Sequence, residues 1–276
     1  MKVAAHPSTS RLAPSTPKVI LALLGRDVRV LRKQARVFII RTAMQPLLLM
    51  FVFTYVFPKI GQGIGGSVRS ASGFSTLLVA GVLGISIIFQ GIQAVALPLV
   101  QEFGFSKEIE DRVLAPAPNW AIAVEKILSG ALQACLAALI VFPIALVVPA
   151  TPIHLHINFF AIVLFVPLAG LVSGALGLTI GTLVPPTQIP LIFAIIVLPI
   201  TFLGAVYYPW SALSPIPWLK YLILLNPLVY INEGLRAFLT TGIVHMNNAT
   251  IIVASIAFLA LLSTAGIRGF EKRIVS

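Results

Sequence analysis

Six long runs of apolar residues, separated by short polar segments, dominate the pattern of the chain. None of them alternates polar and apolar residues with a period of two, so the runs predict helices rather than the strands of a barrel. A helix needs about 20 residues to cross a bilayer, and each run is at least that long. The runs cover residues 38–57, 74–99, 121–148, 157–184, 188–207 and 248–268. The pattern therefore predicts an all-α membrane protein with six transmembrane helices.

The composition of the chain agrees with a bilayer as its solvent. Its 276 residues are 58% hydrophobic and 10% charged, and the mean hydropathy is +1.02. A soluble domain carries about 25% charged residues. We predict a flexible tail over residues 1–17, an amphipathic interfacial helix over 18–37 and a single six-span transmembrane domain over 38–276.

The distribution of Lys and Arg predicts the orientation of the spans. Fifteen of the 19 basic residues lie before or at the beginning of the first span, around the loop between the second and third spans, or at and after the end of the last span; the exceptions are Lys59, Arg69, Lys220 and Arg236. Because basic segments stay in the cytoplasm, both termini are predicted to be cytoplasmic. The net charge of +11 is therefore a topology signal, and we expect no nucleic-acid partner.

Residues 18–37 predict a helix that lies flat on the inner surface of the membrane. At about 100° per residue, basic and apolar side chains fall on opposite faces. Such a helix rests its apolar face on the bilayer, and anionic lipids attract its basic face. Two roles stay open: a charge cluster that only sets the topology, or a lever that contacts a cytoplasmic partner. The basic face consists of Arg26, Arg29, Lys33 and Arg36.

The segment between the second and third spans gathers half of the eight acidic residues of the chain. Residues 101–114 predict a short helix, which Pro116 and Pro118 end. Its charges alternate in sign among aromatic side chains, and this combination suits docking onto another protein. A solvated connection between two spans is the alternative. The candidate docking residues are Glu102, Phe103, Phe105, Lys107, Glu108, Glu110, Asp111 and Arg112.

The segment 207–247 contains too many prolines for one span and too many apolar residues for an ordinary loop. We predict two short helices, at about 212–224 and 228–239, that dip into the membrane from outside. Trp210 and Trp218 suit the boundary between membrane and water. Glu233 and Arg236 are three residues apart, a spacing at which they can pair on one helix face. A lid that never touches the cargo is the alternative.

Two stretches of the sequence resemble the membrane subunits of ABC type-2 exporters, the permeases of drug, lipid, teichoic-acid and polysaccharide export that include the daunorubicin-resistance type. The first is EFGFSKEIEDRVLAPAPNWAIAVEKIL, in which the matching residues are Glu102, Gly104, Glu110, Arg112, Leu114, Ala115, Pro116 and Lys126. The second is LLNPLVYINEGLRAFLTTG, in which they are Asn226, Pro227, Tyr230, Glu233 and Arg236. Both stretches occur in the order that the family has.

The resemblance implies the permease subunit of an ATP-driven exporter in a prokaryotic plasma membrane. Residues 101–114 would be its coupling helix, docked into a separate cytoplasmic ATP-binding subunit that holds ATP and Mg²⁺. The basic helix would lie beside the same subunit, and the segment 207–247 would be the family's re-entrant helix pair at the exit. A second permease copy would complete the transporter, and the analogy favours a homodimer over a heterodimer.

The chain lacks the residues that other activities need. It contains no Gly-Lys pair, so it has no phosphate-binding loop of its own, and we expect no cofactor in this chain and no ATPase activity. His154 and His156 lack further ligands for a metal site. A membrane-embedded lipid-modifying enzyme is the alternative class, but the spans offer no set of titratable residues at one depth.

The apolar spans also bear on the cargo and on packing. A hydrophobic drug or a lipid-like or lipid-linked molecule is the expected cargo, and undecaprenyl-linked polysaccharide or teichoic acid is the alternative. The fourth span carries glycines at steps of three and four residues, which allow close approach of another helix. They are Gly170, Gly174, Gly177 and Gly181. We expect them to pack inside the subunit.

Overall fold

The computed structural model describes residues 16–60, 71–106, 118–184, 188 and 193–275, which are helical apart from short connections. The long helices are α1 (Thr16–Lys33), α2 (Ala35–Lys59), α3 (Ala71–Gln101), α4 (Asn119–Val147), α5 (Phe159–Leu183) and α9 (Asn248–Val275). The short ones are α6 (Leu198–Phe202), α7 (Pro217–Leu222) and α8 (Pro227–Leu239). No strand occurs in this described part, where Leu155 and Thr240 form an isolated β-bridge. The predicted all-α class is confirmed.

Five helices in the described part are long and apolar enough to cross a membrane, namely α2, α3, α4, α5 and α9. They correspond to the first four predicted runs and to the last one. The segments Pro217–Leu225 and Pro227–Leu239 meet at an angle of 96° and form either a broken span or a re-entrant loop. The described residues therefore supply five spans, or six if this bent pair counts as one.

The predicted run 188–207 differs from the structure at its end. Most of its first residues lie outside the described part of the chain, and α6 ends at Phe202. After α6 the backbone leaves the helical conformation, and Ala205 adopts a φ of 53°. Asn232 and Arg236 of α8 donate hydrogen bonds to the consecutive carbonyl groups around Ala205. These bonds hold the backbone in its turn, so the helix stops before the apolar sequence does.

The centre of the molecule consists of α3, α4 and α5, which pack against one another; α9 packs on α5, and α8 packs on α3. Glycines permit the close approach of these helices. A Cβ added at Gly174 would lie 2.5 Å from the carbonyl oxygen of Ile127, and one at Gly177 would lie 3.0 Å from that of Gly91. The glycines of α5 therefore pack inside the subunit, as their spacing predicts.

The interfacial helix and the first span lie at the periphery of the bundle. α1 has no fully buried residue and packs mainly on α4. The helix is interrupted at Gln34, and α2 begins at Ala35. The structure thus ends the predicted interfacial helix of residues 18–37 at Lys33, and Arg36 belongs to α2.

Contacts between distant segments divide the molecule into two ends. At the α1 end, Asp27 of α1 contacts Ser129 of α4, and the ring of Phe103 packs on Phe270 of α9. At the α8 end, the connections before α5, α7 and α9 form hydrogen bonds with α8. The N-terminal helix, the connection after α3 and the end of α9 therefore share one end of the molecule.

Candidate functional site

A buried ion pair at the α1 end joins the end of α3 to α4. The Nζ of Lys126 donates a hydrogen bond to Oε1 of Glu102 at 2.9 Å. The side chain of Lys126 is 5% exposed and that of Glu102 is 9% exposed. Separation of the two side chains would leave each charge buried without its partner, which is strongly destabilising. The pair therefore holds the end of α3 against α4. The connection that follows α3 is therefore attached to α4 at its first residue.

Asp27 fastens α1 to α4 beside this ion pair. Its Oδ2 accepts a hydrogen bond from Oγ of Ser129 at 2.9 Å, and its Oδ1 pairs with the guanidinium of Arg26 at 3.1 Å. Burial alone would raise the pKa of Asp27, but Lys126, Ser129 and Arg26 outweigh it and lower that pKa below its ordinary value. Glu125 is fully buried nearby, and its carboxylate has no hydrogen-bond partner in the described ranges.

An aromatic contact attaches the same connection to α9. The ring of Phe103 packs edge-to-face on Phe270, with 5.9 Å between the ring centroids. The guanidinium of Arg273 lies 4.6 Å from the centroid of Phe103, within the range of a cation–π interaction. Arg273 also donates hydrogen bonds to carbonyl groups at the end of α5, the shortest of them 2.7 Å long. The beginning of the connection is therefore held by α4, α9 and, through Arg273, by α5.

The predicted docking residues fall into two groups in the structure. The side chains of Glu102 and Phe103 contact neighbouring helices, and the backbone of Phe105 belongs to the π-helical turn Glu102–Ser106. The others lie outside the described residues; they are Lys107, Glu108, Glu110, Asp111 and Arg112. Glu102 and Phe103 thus form the base of the predicted coupling segment, and docking by the remaining residues stays a prediction.

The four basic residues predicted for the interfacial helix differ in their surroundings. Arg29, Lys33 and Arg36 are exposed, and the Nε of Arg29 donates to a carbonyl group one turn earlier at 3.0 Å. Arg26 is partly buried and pairs with Asp27. The sequence analysis missed Asp27, because a single acidic residue within a basic helix carries no signal of its own.

Glu233 and Arg236 form a fully buried ion pair at the α8 end, with 2.9 Å between Nη1 and Oε1, as their spacing predicts. Both side chains also bind backbone groups, whereas Nε of Arg236 has no hydrogen-bond partner among the described residues. Glu233 accepts hydrogen bonds from the N–H groups of Trp210 and Met246 at 2.9 and 2.8 Å. Arg236 donates to two carbonyl groups of the connection after α6. This one pair therefore ties two connections to α8, the one between α6 and α7 and the one between α8 and α9.

The remaining residues predicted for the exit segment hold the start of α8. The side chain of Asn226 accepts a hydrogen bond from the N-terminal backbone of α8 at 3.0 Å and donates one to a carbonyl group of α6 at 2.7 Å. Pro227 occupies the first helical position, where its missing N–H is not needed. The hydroxyl of Tyr230 donates to the residues before α8 at 3.1 Å. Trp218 is 69% exposed, which suits a residue at a membrane boundary.

A chain of hydrogen bonds through one hydroxyl and two amide side chains crosses the apolar helices, and the sequence analysis missed it. Thr42 of α2 donates to Gln90 of α3 at 3.2 Å, and Gln90 donates to Gln133 of α4 at 3.4 Å. Glutamines are uncharged, so they do not stand out among the polar residues of an apolar span as carboxylates and histidines do. The available signal was the spacing of Gln90, Gln93 and Gln101, which recur on one face of a helix.

Comparisons with known proteins match most of the chain. The model of the ABC-2 type transporter family matches residues 18–240. The chain is 28% identical over 206 residues to the protein named inner membrane transport permease YadH from Escherichia coli K12. The aligned region covers 71% of this chain and 75% of the relative. The protein of the same name from Shigella flexneri matches with the same identity and coverage.

Proposed function

The chain belongs to the ABC-2 type transporter family, and on this premise we propose that it exports a hydrophobic drug or a lipid-like molecule from the cytoplasmic side of the membrane. As a permease subunit of this family, it works with a separate ATP-binding subunit. That subunit binds ATP and Mg²⁺, since this chain has no phosphate-binding loop. Two copies of the chain form the membrane part of the transporter.

The location follows from the relatives and from the charges. The relatives are named inner membrane transport permeases, which supports the plasma membrane of a prokaryote for this multi-pass protein. The α1 end carries most of the basic residues outside the spans, which supports a cytoplasmic position for this end and for both termini.

The contacts of the connection after α3 support the proposal that this segment couples the ATP-binding subunit to the spans. Its base is fixed to α4 by Glu102 and Lys126 and to α9 by Phe103 and Phe270. A displacement of the segment 107–112 by the ATP-binding subunit would therefore act on α3, α4 and α9 together. Such a rigid-body movement of packed helices is a common way to convert a local push into a larger rearrangement.

A charge-reversal experiment tests this proposal. Affinity purification of the wild-type chain from its host membranes should recover an ABC ATP-binding subunit. The double variant Glu110→Arg, Asp111→Arg should lower that recovery by about tenfold or more, since reversal of interface charges weakens docking. Cargo-stimulated ATP hydrolysis by the purified complex should fall in parallel.

The matched control is Glu271→Arg, which reverses an exposed charge at the end of α9 on the same side of the molecule. This variant should leave both recovery and hydrolysis at the wild-type level. Unchanged recovery with the double variant would refute docking through residues 107–112. An equal loss with the control would show that general charge, rather than this segment, holds the partner.

A further inference from the structure

A cavity of about 660 Å³ lies at the α1 end between α1, α2, α3 and α4. A smaller cavity of about 140 Å³ continues from it between α2 and α3, and Arg41 and Gln93 line both. The larger volume lies within the range of about 300–1,000 Å³ that small-molecule sites occupy. Its wall combines amide and basic groups with apolar side chains, including Gln34, Gln93, Gln101, Gln133, Val37 and Leu97.

Helical spacing brings these polar groups to one place. On α3, Gln90, Gln93 and Gln101 lie on one face because they are separated by multiples of three and four residues. On α2, Arg41 and Gln45 lie on one face for the same reason, and both line the smaller cavity. Gln90 is 11 residues before Gln101, the last residue of α3, so the polar wall extends about 17 Å along that helix.

Arg41 is the uncompensated charge of this cavity. It is exposed in the structure and lies six residues, or about 9 Å, beyond the start of α2, which is a candidate membrane span. Within the described residues Arg41 makes no hydrogen bond and no ion pair. A guanidinium at this depth is costly unless it meets an anion or reaches the interface. The site therefore favours an anionic ligand.

The other charges of the cavity do not supply that anion. Asp27 pairs with Arg26 and accepts a hydrogen bond from Ser129, and Glu102 pairs with Lys126. Both carboxylates are thus balanced by basic partners of their own. Gln45 and Gln93 have no hydrogen-bond partner in the part of the chain that the structure describes and offer N–H groups to the same ligand.

From these contacts we propose that the cavity binds the anionic headgroup, phosphate or carboxylate, of a membrane amphiphile that enters from the leaflet at the α1 end. Arg41 and Gln93 bind the headgroup, and the apolar side chains of Val37 and Leu97 contact the beginning of its chain. This inference deepens the proposed function by naming the chemical class of a lipid-like ligand. The binding itself needs neither ATP nor the partner subunit, and only transport of the ligand rests on the proposed function.

Lipid binding measured by native mass spectrometry tests the site. The probe is an equimolar mixture of phosphatidylglycerol and phosphatidylcholine, added to the full-length protein as purified from its membranes with its accompanying subunits. Wild-type protein should retain phosphatidylglycerol with about a fivefold excess, the ratio that a single basic residue supplies near an anionic surface. Arg41→Gln should reduce the ratio to about one, and Arg41→Lys should keep most of it.

Two further variants separate the site from general charge and from misfolding. Arg268→Gln removes an exposed charge from α9, outside the cavity, and should keep the excess. Leu97→Trp fills the cavity without changing any charge and should lower the excess, which keeps the test valid even if Arg41→Gln fails to fold. Equal retention of both lipids by the wild type, or equal losses with Arg268→Gln and Arg41→Gln, would overturn the proposal.

Two more measurements identify the occupant. If Arg41→Gln dissociates a permease dimer and leaves the lipid ratio unchanged, the cavity is an interface between copies and the proposal is overturned. In proteoliposomes, ATP-driven movement of fluorescent phosphatidylglycerol would identify the bound lipid as cargo. Binding without movement would identify a resident lipid and would leave the binding site established even if the proposed function fails.

Discussion

Arg236 is the largest side chain that the described part of the protein buries completely. Burial of a charge is expensive, and the cost is offset only where a counter-charge and hydrogen bonds meet it. Glu233 and two carbonyl groups meet this requirement at the α8 end, and Glu102 meets it for Lys126 at the α1 end. The few charges inside this apolar chain therefore fix specific contacts between helices.

Replacement of Arg236 by methionine should destabilise the protein strongly. Arg236→Met leaves Glu233 buried without its counter-charge, and loss of one partner of a buried pair costs about 3–5 kcal/mol. Thermal unfolding of the purified protein in detergent measures the effect. Arg268→Met, which removes an exposed arginine from α9, should leave the unfolding temperature near the wild-type value. A similar temperature for both variants would contradict a structural role for the pair.

The lowered pKa of Asp27 predicts a specific loss of stability in acid. A carboxyl group whose pKa is lower in the folded state stabilises the protein above its unfolded pKa of about 3.9 and loses this contribution as the pH falls through the folded value. Asp27→Asn removes the contribution, so the stability difference between wild type and variant should be largest near neutral pH. It should shrink below about pH 4.

Unfolding scans between pH 3 and pH 7 measure this difference. The matched control is Glu271→Gln at an exposed site, whose difference from the wild type should stay close to zero throughout. A constant difference for Asp27→Asn across the range would mean that the contacts of Asp27 with Ser129 and Arg26 do not depend on its charge.

At the scale of elements, the close packing of α5 distinguishes its glycines from the glycine of α1. A Cβ at Gly174 would meet the backbone of α4, whereas a Cβ at Gly25 meets nothing within 4 Å. The spacing of glycines along α5 indicated close packing but did not identify the neighbouring helix. The tertiary structure shows that the neighbouring helix at Gly174 is α4.

Gly174→Ala and Gly25→Ala should therefore have opposite effects. The first variant overpacks the interface of α4 and α5 and should lower stability by about 1–3 kcal/mol. The second removes a flexible residue from an exposed helix and should raise it by about 0.5–1 kcal/mol. Unfolding temperatures of the two purified variants measure the contrast. Destabilisation of the same size at both positions would rule out packing as the cause.

The boundaries of elements followed from the sequence where a local signal sets them. Asn226 and Pro227 mark the start of α8 through a side-chain cap and a proline at the first position, and the structure begins α8 at Pro227. The end of α6 could not be found this way. The apolar run continues to residue 207, and the helix stops because Arg236, far along the chain, binds the carbonyl groups that follow.

At the scale of the whole molecule, contacts gather the connections at two ends. α1, the connection after α3 and the end of α9 meet at one end, while the connections around α8 meet at the other. The pattern of charges predicts that the first end faces the cytoplasm. If so, the proposed coupling segment and the headgroup cavity lie on the side where an ATP-binding subunit and the inner leaflet are accessible.

Cysteine labelling in intact cells tests this orientation. In a Cys135→Ala background, a membrane-impermeant maleimide should label Ser214→Cys, which is exposed in the connection before α7, and should not label Lys272→Cys at the end of α9. Both positions should react after the cells are opened. The reverse labelling pattern would place the coupling segment outside the cell and would refute the proposed function.

The sequence by itself determined the all-α class, the long spans, the basic helix and the family resemblance, because these depend on local hydrophobicity, charge and short motifs. Only the tertiary structure decided that Lys126 pairs with Glu102, where α6 ends and how Thr42 of α2 meets the amides of α3 and α4. These features depend on residues that are far apart in sequence. In the bilayer a polar side chain forms its hydrogen bonds with groups on other helices, and the sequence of one apolar run does not identify those groups.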